Sequence, residues 1–209
     1  MIEVGPAIVA YSRVGHPSGD PAPNDEDLDD APWLTASDRA RALRWGPGLR
    51  RARFVEGRRL LRQLISRLAP DANPAIEARC ARCGSRDHGA VRALRAPVVV
   101  SISYSGPAVA AAAAPARAAT GLGIDVESGA PDEILRELAA LFAPADPPTR
   151  RRWTEIEAAV KADGRGLRIP PERIRFAGGG ATVPGAPGPF AVLDARAPEG
   201  LTASLALRP

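Results

Sequence analysis

The chain has 209 residues, 45% of them hydrophobic, which is enough to bury one core or two small ones. Its 28 basic and 24 acidic residues leave a formal net charge of +4, and aromatics make up only 4%. No nucleic-acid partner is expected, because no basic and aromatic residues interleave as a stacking surface requires. The stretch Ala108–Ala114 ends at Pro115 and is followed by Arg117, far short of the roughly 18 apolar residues of a membrane span. The first residues also lack a basic segment leading into a long apolar one, so the expectation is a cytoplasmic protein with no membrane contact.

In chain order, a strand is predicted at Ile8–Tyr11, followed by a Pro- and Asp-rich loop over 16–32. Asp20, Asp25, Glu26, Asp27, Asp29 and Asp30 crowd that loop and leave the rest of the chain strongly basic. A helix is predicted from an N-cap at Thr35 or Ser37 to Trp45. A second runs from Leu49 to Leu68, with Phe54, Leu61, Leu64, Ile65 and Leu68 on one face. Arginines between Arg39 and Arg67 suit a polyanionic ligand or an acidic protein partner, and equally a solvated helix face.

After Pro97, Val98, Val100, Ile102 and Tyr104 alternate with Val99, Ser101, Ser103 and Ser105, giving a strand with an apolar and a serine face. The serine hydroxyls are placed to meet either a phosphate or water. The run Ala108–Ala114 has helix propensity, but Gly106-Pro107 before it favours a hairpin partner of the preceding strand. Gly121 to Glu127 alternates strictly and reads as a strand, with Leu122, Ile124 and Val126 on one side and Gly121, Gly123, Asp125 and Glu127 on the other. Helices at 132–142 and 153–163 follow, then strands near Ile174, at Phe190–Asp194 and at Leu201–Leu207.

Within this outline, Lys161 is the single lysine among the 28 basic residues. Its helix, Trp153-Thr154-Glu155-Ile156-Glu157-Ala158-Ala159-Val160-Lys161, contains no Pro or Gly and stops at Gly164. At about 100° per residue, Glu157 and Lys161 flank an apolar stripe of Ile156, Val160 and Trp153. The pair is either an ordinary surface contact or part of a site. Asp125 and Glu127 side by side on one strand face repel, which a hard cation such as Mg²⁺ would relieve, with an ordinary acidic pair on a solvated strand as the alternative; the two glycines before them leave room for something to approach. Cys80, Cys83 and His88 suggest a partial zinc site, one ligand short of the four of a structural site, and a plain loop remains the alternative.

The pair Gly123-Ile124-Asp125-Val126-Glu127 and Trp153 to Lys161, followed by Gly164-Arg165-Gly166-Leu167, resembles the signature of the 4′-phosphopantetheinyl transferases of the surfactin-type branch. Leu34 to Trp45, the run Arg53 to Arg62, the Cys80-Ala81-Arg82-Cys83-Gly84 to His88-Gly89 segment, Val98 to Gly106 and Gly200 to Ala206 extend the resemblance over most of the chain. Where the family has a histidine between two serines, this chain has Tyr104; where it has a lysine before the helix glutamate, this chain has Ile156; after Gly89 it has Ala90-Val91-Arg92. The connection from Phe142 to Trp153 is short for the family.

The resemblance implies an α+β fold of two similar halves, 1–118 and 119–209, related by a pseudo-twofold with the active site between them. It implies a monomer that moves 4′-phosphopantetheine from coenzyme A to a serine of an apo acyl or peptidyl carrier protein, releasing 3′,5′-ADP. Asp125, Glu127 and Glu157 would hold Mg²⁺, and Glu157 would act as general base with Glu127 as the runner-up. Lys161 would bind the pyrophosphate and stabilise or protonate the leaving phosphate. Arg41, Arg53, Ser103 and Tyr104 would grip the nucleotide end of coenzyme A. A relative that binds coenzyme A or a carrier protein without transfer is the alternative, raised by Tyr104, Ile156 and the short connection.

Overall fold

The computed structural model describes residues 1–15, 28, 31, 33–80, 82–86, 88–129, 139, 142–143 and 146–209. The acidic loop over 16–32 and the helix expected at 132–142 therefore lie largely outside the described residues. The remainder is a mixed α+β fold with two antiparallel sheets and a separate hairpin.

The first sheet runs β1 (Ile2–Val4), β2 (Ala7–Arg13), β6 (Ala108–Pro115), β5 (Val98–Ser105). The second runs β7 (Gly121–Ser128), β11 (Leu201–Arg208), β10 (Phe190–Asp194), β9 (Gly180–Thr182), β8 (Arg175–Ala177). Each sheet is thus drawn from one continuous stretch of chain. β3 (Ile76–Arg79) and β4 (Ala90–Ala93) form the hairpin. Among the described residues no helix is long and apolar enough to cross a membrane.

Helix α1 (Ala36–Arg44) starts where Thr35 accepts a hydrogen bond from Asp38 N, and α2 spans Leu49–Leu68 as its apolar spacing predicts. Leu61, Leu64 and Ile65 of α2 are fully buried against the first sheet, each contributing about 1.5–3 kcal/mol. The alanine run resolves as β6, the strand hydrogen-bonded to both β2 and β5. Ala110, Ala112 and Ala114 face the second sheet while Ala111 and Ala113 face α2. Covered on both faces, the strand loses the alternation that normally marks one, and only small side chains fit between two close layers.

Helix α3 (Arg150–Asp163) begins three residues before the apolar stripe, where Thr149 caps Arg152 N, and it ends at Gly164 in the left-handed region at φ 86°. Trp153, Ile156, Val160 and Phe190 form its core against the outer face of the second sheet. The inner faces of the two sheets share Val9, Ala112, Leu122, Ile124, Val126 and Leu205. The order is therefore helix, sheet, sheet, helix, with the edge strands β5 and β7 meeting side by side.

Candidate functional site

That meeting of edge strands is made by side chains in place of a backbone ladder. Ser101 Oγ accepts from Ile124 N at 3.0 Å, and Ser105 Oγ accepts from Ser128 N at 2.9 Å. Between them, Ser103 Oγ donates to Asp125 Oδ1 at 2.7 Å, and Ser105 Oγ donates to Glu127 Oε2 at 2.8 Å. The hydroxyls of the serine face of β5 thus close the gap between the sheets and hold both acids of β7, while Ser101 also borders the cleft described below.

The approach for which Gly121 and Gly123 leave room is made by α3. A Cβ on Gly123 would lie 1.9 Å from Ala158 O, and one on Gly121 would lie 2.2 Å from Ala162 O. Only a strand without side chains at these two positions lets the helix backbone rest on it. Glu157 and Lys161, one helix turn apart, are thereby brought over Asp125 and Glu127. Lys161 Nζ donates to Asp125 Oδ1 at 2.6 Å, Ser103 Oγ at 3.0 Å and Ile124 O at 3.2 Å, and stands 3.9 Å from Glu157 Oε2. All three of its N–H donors are engaged. Ile156 is buried beside Trp153, as its angular position predicts.

The acids carry more negative charge than their surroundings neutralise. Burial raises the Glu157 carboxyl above its ordinary value; Lys161 opposes this, while the charges of Asp125 and Glu127 add to it. Burial likewise raises Glu127, opposed by the Ser105 hydroxyl and reinforced by Asp125. Asp125 is buried, and its Oδ2 has no hydrogen-bond partner. Three carboxylates with an orphaned oxygen form an all-oxygen donor set suited to a hard divalent cation. Their oxygens do not crowd together: among the described residues, Cys80, Cys83 and His88 are the group with three ligand atoms within 4.8 Å of one another.

Beside this cluster opens a cleft of about 660 Å³. Among the described residues nine arginines and Lys161 line it, and no aspartate or glutamate does. No family model matches the chain, and no curated protein matches it either. The wall of the cleft is built by α1, α2, the β3–β4 hairpin, β5 and the turn after α3. Arg53 donates to Gly106 O at 2.7 Å and stands 6.0 Å from the centre of the Tyr104 ring. Arg41 lies over Trp45 at 5.0 Å and over Phe54 at 5.1 Å. Gly57 lets α2 seat on Tyr104, since a Cβ there would lie 2.5 Å from the phenol oxygen. Burial pushes the Tyr104 phenol up to about 12 despite nearby Arg58, Arg41 and Arg53, so it is a neutral donor at pH 7.

Of the expected ligand-gripping residues, Arg41, Arg53, Tyr104 and Lys161 line the cleft and Ser103 does not, its hydroxyl being held between Asp125 and Lys161. Arg92 also lines the cleft, on the hairpin strand that follows Gly89. Arg58 was not singled out from the sequence, although it pairs with buried Asp38 at 2.9 Å and borders the cleft. Nothing in the sequence marks the pair, because Asp38 has Arg39 and Arg41 beside it on its own helix and Arg58 lies 20 residues away. Arg165 and Arg168 gave no signal beyond their place in a glycine-flanked turn.

Proposed function

We propose that the chain transfers 4′-phosphopantetheine from coenzyme A to a serine of an apo acyl or peptidyl carrier protein, as its resemblance to the surfactin-type transferases implies. Lys161 carries this assignment, because one ammonium both binds the Asp125 carboxylate and lines a cleft with nine arginines. A cation-seeking cluster and an anion-seeking cleft sharing one residue suit a pyrophosphate ester, whose charge both neutralise. The connectivity supports the two-halves reading. In each sheet the first strand leading to a long helix, β2 or β7, pairs antiparallel with the last strand, β6 or β11, which also pairs with the strand before it.

Asp125, Glu127 and Glu157 would hold Mg²⁺, which when bound neutralises and polarises the pyrophosphate. The residues of the chain supply the remainder. Arg41 and Arg53 bind the phosphates of the nucleotide end, and neutral Tyr104 donates one hydrogen bond where the family has histidine. Ser103 orients Lys161 and Asp125. Glu157, with its raised carboxyl, takes the proton from the attacking serine hydroxyl directly or through a water. The new bond joins the serine oxygen to the β-phosphorus, and the bond to 3′,5′-ADP breaks. Lys161 stabilises or protonates the departing phosphate, and a compact ammonium suits this better than a guanidinium.

Binding without transfer is the second reading, favoured by the full set of hydrogen bonds on Lys161, one of which must be given up before the ammonium meets a phosphate. Intact-mass spectrometry of apo carrier proteins incubated with the protein, coenzyme A and Mg²⁺ separates the two. A gain of one phosphopantetheine, lost in Glu157→Gln, is the expected result. Coenzyme A binding with no gain on any carrier would establish the second reading.

A further inference from the structure

The β3–β4 hairpin carries a group of side chains outside the site described above. Cys80, Cys83 and His88 each bring one ligand atom to within 4.8 Å of the other two, and Cys83 Sγ lies 3.4 Å from His88 Nε2. Backbone geometry makes the cluster. Cys80 N donates to Ser85 O at 2.9 Å and Gly84 N to Cys80 O at 3.0 Å, closing the turn around the two sulfurs. Gly89, at φ 102°, crosses so near the opposite strand that a Cβ would lie 2.4 Å from Arg79 O. That crossing returns the chain beside Cys80 and delivers His88 to the two sulfurs.

Two sulfurs and an imidazole are soft and borderline donors, which select zinc over magnesium or calcium. Both thiols are free. Three protein ligands with one position left for water is an established zinc arrangement, so a fourth side chain is not required. We propose that Cys80, Cys83 and His88 bind one zinc ion, with water as the fourth ligand. The ion ties off the tip of the hairpin. Arg79, Arg82 and Arg92 on that hairpin line the arginine cleft, so the metal fixes one of its walls. Nothing in this assignment depends on what the cleft binds.

The test is metal analysis of the full chain, purified under reducing conditions through a histidine-free tag, then incubated with zinc and desalted. One zinc per chain is expected, and it should be lost in Cys83→Ser and in His88→Ala. Both positions are exposed, so circular dichroism should be unchanged in either variant. His88→Cys should restore binding. Cobalt(II) added to the zinc-free protein should give a thiolate-to-cobalt charge-transfer band that Cys83→Ser removes. Zinc content no higher than that of the Cys83→Ser/His88→Ala double variant would overturn the proposal. So would a non-reduced chain lighter by two hydrogens, which would mean that the thiols pair with each other.

Discussion

The junction of β7 with α3 and the cleft beside it are both built from charged side chains, yet they reach opposite solutions. In the junction three acids share one ammonium, hydroxyls fill the gaps, and the groups are held by neighbours on three elements. In the cleft nine arginines face a common space from five parts of the chain, and the carboxylate contacts of Arg58 with Asp38 and Arg165 with Asp163 lie behind the wall. Among the described residues the first region gathers acids around one ammonium, and the second gathers arginines without a lining acid. Under the proposed reaction, catalytic geometry would belong to the junction and ligand affinity to the cleft, and Lys161 would be where a change in one is felt in the other.

Substitutions should divide along that line. The largest effect is expected for Glu157→Gln, which removes the proposed base and should lower kcat about 10²–10⁴-fold with coenzyme A affinity little changed. An equal loss in affinity would place the residue in the cleft's role. Next, Lys161→Arg keeps the charge but not the compact donor, and should lower kcat about 10²–10³-fold while still binding coenzyme A. Full activity would remove the special role of the ammonium. Arg53→Ala is the reverse case: loss of a charge-assisted contact should raise KM for coenzyme A about tenfold and spare kcat. A fall in kcat without a rise in KM would erase the contrast between the two regions.

The smallest effect is on stability. Glu127 and Glu157 hold their protons above the ordinary value of 4.5, so the folded chain binds protons more tightly than the unfolded chain over that interval. Their stabilising contribution is complete below 4.5 and is lost as pH rises through the raised values. Without divalent cations, the melting temperature of Glu157→Gln should therefore decline less steeply towards neutral pH than that of the parent. Identical pH profiles would show that the junction is not strained by its charge.

How far these regions are legible in the sequence differs for physical reasons. The α3 pair Glu157 and Lys161 and the β7 acids follow from period alone, because each periodicity assigns a face without reference to anything distant. What the faces meet does not follow. The serines of β5 alternate plainly, but nothing local tells that an edge strand of another sheet lies opposite them. The α3 start at Arg150 is missed because Arg150 to Arg152 carry no apolar residue, and β1 because it is three residues long. The β3–β4 hairpin is hidden by its cysteine loop, and with it the cleft positions of Arg79 and Arg82. A concave wall assembled from five segments has no signature in any one of them.

Because Lys161 is the only lysine among the 209 residues, a label carried on lysine side chains has a single position here. Biosynthetic labelling with isotopic lysine would leave its charge and all three donors in place and give a single internal side-chain resonance. That signal would sit between the acids of β7 and the arginine wall, and would report on occupancy of either side without any engineered probe.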